Sequence, residues 1–160
     1  TVLTMNAATS GTCAGTACDA AALGNELKFY YGRHRLENAY ANAFQAASVV
    51  LKAEVWNGSQ FVLHSADICS EVKPASLTVT GTPALTVSGS NTTLASGVNP
   101  INTLLLSAPG QNGSWDLQYQ APVWLKYNWN TSTAGDEDPS ATALFGRYRG
   151  NDRLIYQREQ

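Results

Sequence analysis

Short segments of alternating apolar and polar residues, each ended by Gly, Pro or Asn, constrain the fold of this chain more than any other feature. They follow one another at roughly the 8–12-residue spacing of all-β domains, and no stretch has the 3.6-residue period of an amphipathic helix. In the clearest case Asn57 and Gly58 reverse the chain between two such segments, which is a strong hairpin signal. The pattern predicts strands at 27–36, 49–56, 60–65, 76–81, 84–89, 102–110, 114–120, 123–129, 140–149 and 152–158.

These segments predict an all-β fold, an antiparallel two-sheet β-sandwich of about nine or ten strands. Residues 1–25 are rich in Ala, Thr, Gly and Ser without any period, which indicates an N-terminal loop or linker ahead of a sandwich domain at 26–160. The chain begins without an initiator Met or a signal peptide, so we expect it to be part of a longer protein.

Composition excludes several classes of function. Charged residues make up only 14% of the 160 residues, against about 25% in ordinary soluble domains, and Thr, Ser, Asn, Gly and Ala replace them. The formal net charge is −2, so no basic field is available to hold nucleic acid or an acidic lipid surface. No apolar run approaches the ~20 residues of a membrane span. We therefore expect neither a nucleic-acid partner nor a membrane span in this chain.

The three cysteines allow three single pairings. We favour a disulfide between Cys13 and Cys18, because they lie close together in a Gly- and Thr-rich segment that an oxidising compartment would let them close. Cys69 would then be free or would pair outside this chain. Three reduced thiols in a cytosolic protein are the alternative.

The loop at 128–140 offers oxygen side chains, and Asp136 and Asp138 are its candidate calcium ligands. Calcium prefers six to eight oxygens, usually with alternating carboxylates. Here the first half of the loop offers only amides and hydroxyls, so an exposed acidic loop without a cofactor is the other interpretation.

Five aromatic residues fall within positions 115–129. Strand alternation predicts that Trp115, Tyr119, Tyr127 and Trp129 face the core. Trp124, like Trp56 in an earlier strand, falls on the polar side of its predicted strand. These two tryptophans are the candidate ligand-binding residues, because exposed indoles on a sandwich face can stack on sugar rings.

No catalytic constellation is recognisable. The chain has no G-x-S-x-G or H-E-x-x-H motif and no spacing that pairs two carboxylates, so we do not expect an enzyme; a hydrolase stays as a distant alternative.

His34 lies between Arg33 and Arg35, which should lower its pKa. All six arginines lie at 33–35 and 147–158, where interspersed carboxylates favour cross-strand pairing over phosphate binding.

Three stretches, YYGRHRLENAYA (30–41), VVLKAEVWNGSQFVLHSADIC (49–69) and DPSATALFGRYRGNDRLIYQREQ (138–160), resemble the C-terminal domain of MshQ-like proteins. Those proteins belong to the mannose-sensitive haemagglutinin (MSHA) type IV pilus system of Gram-negative bacteria. The resemblance covers most of residues 28–158 and is weakest at 76–112. It implies an exported, mostly β protein with a role in pilus biogenesis or surface adhesion, and it brings no catalytic residues.

We therefore expect a non-catalytic extracellular module of a pilus-associated or adhesin-like surface protein, with a structural or adhesive role. Its expected partners are other pilus or cell-surface proteins and glycans, at the surface of a Gram-negative bacterium. A carbohydrate-binding module that uses Trp56 and Trp124 is the alternative function.

Overall fold

The computed structural model of the chain describes residues 30–132 and 134–146, and these residues form strands and short 3₁₀ turns without an α-helix. The two 3₁₀ turns are Pro74–Ser76 and Val123–Leu125. The strands of the described ranges are β1 (Gly32–Leu36), β2 (Ala39–Ala41), β3 (Ala47–Ser48), β4 (Leu51–Trp56), β5 (Phe61–Leu63), β6 (Glu71–Val72), β7 (Leu77–Thr80), β8 (Val87–Ser88), β9 (Thr92–Thr93), β10 (Leu105–Leu106), β11 (Gly113–Tyr119) and β12 (Ser140–Phe145). The predicted all-β class is confirmed, with more strands than predicted because several are only two residues long.

Backbone hydrogen bonding divides these strands among four sheets. The largest has the order β2-β12-β11-β7, and a three-stranded sheet has the order β1-β4-β5. A second three-stranded sheet, β3-β10-β8, and the pair β6-β9 complete the set. All pairings are antiparallel except that of β12 with β2.

One core joins the four-stranded sheet and the sheet β1-β4-β5 in a sandwich-like arrangement. In β11 Trp115, Leu117 and Tyr119 are buried and the residues between them are exposed, as the alternation predicts. In β4 Leu51 and Ala53 face the same core cluster. The sandwich-like arrangement follows because both sheets contribute buried side chains to one core cluster.

Trp115 is the largest side chain of this core, and its place depends on two glycines. A Cβ at either Gly81 or Gly113 would collide with the indole ring. The indole nitrogen donates a hydrogen bond to the carbonyl oxygen of Pro83 at 2.8 Å, which satisfies its polar group.

The predicted hairpin is confirmed. Trp56 of β4 pairs with Phe61 of β5, and residues 57–60 form the loop. The carboxamide oxygen of Asn57 accepts hydrogen bonds from the backbone N–H groups of Ser59 and Gln60, at 3.0 Å each. Gly58 has a φ of +103°, a conformation that favours glycine.

The prediction of a strand at 123–129 is wrong. Pro122 leads into the 3₁₀ turn at Val123–Leu125 instead, and the backbone N–H of Leu125 donates to the carbonyl oxygen of Pro122 at 2.8 Å. As a result Val123 is exposed, Tyr127 is half-buried and Trp129 is exposed, and neither aromatic residue belongs to the core cluster. A tight turn does not alternate its side chains as a strand does, so the face assignment failed with it.

Several predictions fall on residues outside the described ranges. They are the loop or linker at 1–25, the Cys13–Cys18 disulfide and the final strand at 152–158 with its arginines.

Candidate functional site

Trp124 is the most exposed tryptophan among the described residues, with 78% of its surface accessible. The 3₁₀ turn that carries it is held from both sides by one carboxylate. An oxygen of Asp138 accepts the backbone N–H of Ala121 at 2.9 Å, and the same oxygen pairs with the ammonium of Lys126 at 3.1 Å. The turn is thus fixed just before and just after its three residues, and the indole is presented on ordered backbone.

A second segment, around β6, faces this turn. Asp67 organises its beginning, since its carboxylate accepts hydrogen bonds from the N–H groups of Cys69 and Ser70 and from the hydroxyl of Ser70. Partial burial by itself raises the pKa of Asp67, but these hydrogen bonds outweigh it and hold the pKa below 3.8. The pairing of β6 with β9 then fixes the backbone of Glu71 and Val72.

The two segments border an open groove of about 500 Å³, which we call the Trp124 groove. It is lined by Cys69, Ser70, Glu71, Lys73, Pro122, Trp124 and Leu125. An adjoining recess of about 280 Å³ shares Glu71, Lys73 and Pro122 with it and extends to Ser76, Tyr119, Gln120 and Ala121. The combined volume lies in the range of about 300–1,000 Å³ that is typical of small-ligand sites.

An acid–base pair lies between the groove and the recess. The ammonium of Lys73 contacts a carboxylate oxygen of Glu71 at 2.5 Å, and this hydrogen bond raises the pKa of Lys73. Both side chains point to the same side because they are two residues apart in extended chain, while Val72 between them is fully buried. The groove therefore offers one acceptor and one donor next to an exposed indole.

Tyr119 and Gln120 on one side of the recess are hydrogen-bonded to Lys73 and Ser76 on the other. The hydroxyl of Tyr119 accepts a hydrogen bond from the backbone N–H of Lys73 at 3.0 Å. The backbone N–H of Gln120 donates to the carbonyl oxygen of Ser76 at 2.8 Å. Burial raises the pKa of Tyr119, so the phenol stays neutral.

Trp56 lies elsewhere, in a surface group of five rings that we call the aromatic cluster: Tyr31, Trp56, Phe61, Tyr127 and Trp129. Trp56 packs edge-on against Phe61 with a centroid separation of 5.3 Å, and it is 43% exposed. It is not among the residues that line the Trp124 groove. The structure therefore assigns the two candidate tryptophans to different sites.

The centre of the aromatic cluster is filled by the protein's own Arg33. Its guanidinium carbon lies 3.9, 4.5 and 4.4 Å from the ring centroids of Phe61, Tyr127 and Trp129. Its Nε also pairs with the nearly buried carboxylate of Glu54 at 2.8 Å. Because these rings already bind a cation of the protein itself, we interpret the cluster as structural. We call Arg33 with its three rings and Glu54 the Arg33 clasp.

His34 is fully buried on the opposite face of β1 from the two arginines. Its pKa is lowered to about 4, in the predicted direction, but burial is the cause rather than the neighbouring arginines. Neither ring nitrogen has a hydrogen-bond partner within the described residues.

The remaining candidates are placed as follows. Asp138 supports the turn of Trp124, and Asp136 is exposed. In the part of the chain that the structure describes, no three His, Cys, Asp or Glu side chains are grouped as metal ligands, and the calcium site at Asp136 and Asp138 stays a prediction. Cys69 is exposed, has no disulfide partner among the described residues and lines the groove.

Sequence analysis missed Glu71 and Lys73, and it named Asp138 as a calcium ligand rather than as the support of the Trp124 turn. The i, i+2 spacing of Glu71 and Lys73 around an apolar Val72 is a local signal that could have been read. Their closeness to Trp124, about fifty positions later, has no local signal.

The fold and the site together define a small all-β domain with an open surface groove. The chain belongs to the DUF6701 family, because the model of that family's fourth domain matches residues 30–160. A search of curated proteins found no match, and a search of solved structures found none either. In residues 30–132 and 134–146, no helix has the length and apolar character needed to cross a membrane.

Proposed function

We propose that this domain is a non-catalytic, extracellular module of an MshQ-like pilus-associated or adhesin-like protein of a Gram-negative bacterium, with an adhesive role. The observation that carries the proposal is the Trp124 groove, in which a largely exposed indole stands beside paired polar side chains on two hydrogen-bonded walls. Exposed aromatic residues with a polar rim are typical of surfaces that bind other molecules.

Two further features support recognition rather than chemistry. Glu71 and Lys73 are paired with each other, so neither is poised alone as a general acid or base. The resemblance of 30–41 and 138–160 to MshQ-like proteins supports export and a place at the cell surface, and partners among pilus proteins or glycans.

A bead assay tests the adhesive role. Beads coated with the purified domain should be retained on erythrocytes, or on piliated Gram-negative cells, several-fold more strongly under flow than beads coated with heat-unfolded domain. Runs with calcium and with a chelator show whether the predicted calcium site takes part. Retention equal to that of the unfolded control on both cell types would refute the adhesive role, and antibody labelling of unpermeabilised cells tests the location.

A further inference from the structure

We infer that the Trp124 groove binds a neutral pyranose sugar of a surface glycan, with the indole of Trp124 packed against the apolar face of the sugar ring. The inference rests on the proposed adhesive function and names the chemical class of its ligand. It divides the site into a platform, a hydroxyl-binding pair and a second subsite.

The platform is the indole itself. A tryptophan that is 78% exposed leaves a large apolar surface in water, and covering that surface is favourable in proportion to the area covered. The C–H face of a pyranose is flat and apolar while its rim is polar, and an indole prefers such a neighbour. Asp138 holds the turn through Ala121 and Lys126, so little backbone freedom is lost when a ring packs on Trp124.

The hydroxyl-binding pair is Glu71 and Lys73. A sugar hydroxyl both donates and accepts, whereas a carboxylate only accepts and an ammonium only donates. Two neighbouring hydroxyls can therefore donate to Glu71 and accept from Lys73, and hydrogen bonds to charged groups are the stronger ones. The carboxylate and the ammonium already lie 2.5 Å apart on one side of the backbone, which suits hydroxyls on adjacent ring carbons.

Charge and size select the sugar class. The charged side chains that line the groove are one carboxylate and one ammonium, which cancel. Among the described residues, the lining of the groove therefore has no unpaired cation for a sialic acid, a sulfate or a phosphate, and a neutral sugar is favoured. The adjoining recess at Ser76 and Gln120 leaves room for a second ring, so we expect a disaccharide to bind more tightly than its monosaccharide.

Isothermal titration of the purified domain tests this assignment. The probes are the neutral oligosaccharides N,N′,N″-triacetylchitotriose, mannotriose, cellotriose and lactose, with sialyllactose as the anionic arm. At least one neutral probe should bind with a Kd of about 1 mM or tighter. Trp124→Ala should weaken it by about tenfold or more, which corresponds to about 1.4 kcal/mol, and Trp124→Phe should keep part of the affinity.

Trp56→Ala is the matched control, because this exposed tryptophan lies outside the groove; it should change the affinity by less than about twofold, within the scatter of distant sites. Circular dichroism of each variant confirms that it folds.

Three results would overturn the assignment. They are silence of all four neutral probes, binding of sialyllactose alone, and equal losses in Trp56→Ala and Trp124→Ala. If the neutral probes are silent while coated beads still adhere, the sugar class is wrong and the adhesive function stands.

Discussion

His34 is the residue whose environment departs most from what its type prefers. Its imidazole is fully buried beside the ring of Tyr119, at 6.1 Å between centroids, and its nitrogens lack partners among the described residues. Burial disfavours the imidazolium and lowers the pKa from 6.5 to about 4, while the carboxylate of Asp67 offsets part of the shift. The domain therefore folds with this histidine neutral.

This residue makes the domain acid-sensitive. The unfolded chain takes up the proton first as pH falls, because the pKa of His34 in the folded state lies below its unfolded value. The contribution of His34 to the free energy of unfolding is present in full above pH 6.5. It is lost as pH falls toward about 4, and the total loss is about 3 kcal/mol. Urea denaturation at a series of pH values measures this loss.

Two variants isolate the effect of His34. His34→Leu should flatten the dependence between pH 6.5 and about 4, whereas His64→Gln should keep it. Asp67 acts lower on the pH scale: its pKa is depressed in the folded state, so its contribution to stability is lost mainly below the ordinary carboxyl pKa of the unfolded chain. An unchanged slope in His34→Leu would show that other groups control the acid response.

Among the structural elements, the segment after the 3₁₀ turn at Val123–Leu125 depends on one side chain of β1. Arg33 lies against Tyr127 and Trp129 of that segment and against Phe61 of β5. Its side chain is only 14% exposed and pairs with Glu54, whose side chain is 8% exposed. Arg33 thereby joins two strands of one sheet to a segment that is not part of it.

Loss of this clasp should cost more than loss of an ordinary surface pair. Arg33→Met leaves the carboxylate of Glu54 nearly buried and removes three cation–π contacts, so we expect a loss of about 3 kcal/mol in the free energy of unfolding. Arg33→Lys should recover only part, because an ammonium does not reproduce the planar guanidinium.

Arg35→Met is the matched control for the clasp. Arg35 also binds Glu54, at 3.2 Å, but its side chain is 52% exposed, so we expect a loss of less than about 1 kcal/mol. Chemical denaturation measures all three variants. Equal losses for Arg33→Met and Arg35→Met would show that the rings contribute nothing beyond the ion pair.

At the scale of the whole molecule, the described residues share one hydrophobic core. Leu51 of the three-stranded sheet and Leu117 of the four-stranded sheet belong to the same cluster, each at most 1% exposed. A core that spans both sheets predicts a single cooperative unfolding transition.

Leucine-to-alanine changes on the two sheets test whether both sheets unfold in one cooperative transition. Leu51→Ala and Leu117→Ala should each lower the free energy of unfolding by about 2–5 kcal/mol, while exposed Thr78→Ala should stay within about 0.5 kcal/mol. Tryptophan fluorescence and far-ultraviolet circular dichroism should report coincident transitions. A transition in two steps for either leucine variant would mean that the sheets unfold separately.

The parts of this fold that could be predicted are those with a local signal. Alternation in 114–120 predicts the buried face of β11, and Asn57–Gly58 predicts the hairpin, because both depend on residues next to each other in the chain. The segment 123–129 has a similar alternation and was predicted as a strand. There Pro122 and the contacts of Asp138 favour a turn. Asp138 lies twelve or more positions after Ala121 and Lys126, the two residues that it contacts.

The sequence by itself therefore determined the all-β class, the core faces of the strongest strands and the exposure of Trp56. Side-chain period and turn chemistry decide these features within a few residues. Only the tertiary structure decided that Trp124 faces Glu71 and Lys73, that Trp56 belongs to a cluster around Arg33, and that His34 is buried. The physical reason is that each depends on long-range packing between segments whose relative positions no local pattern encodes.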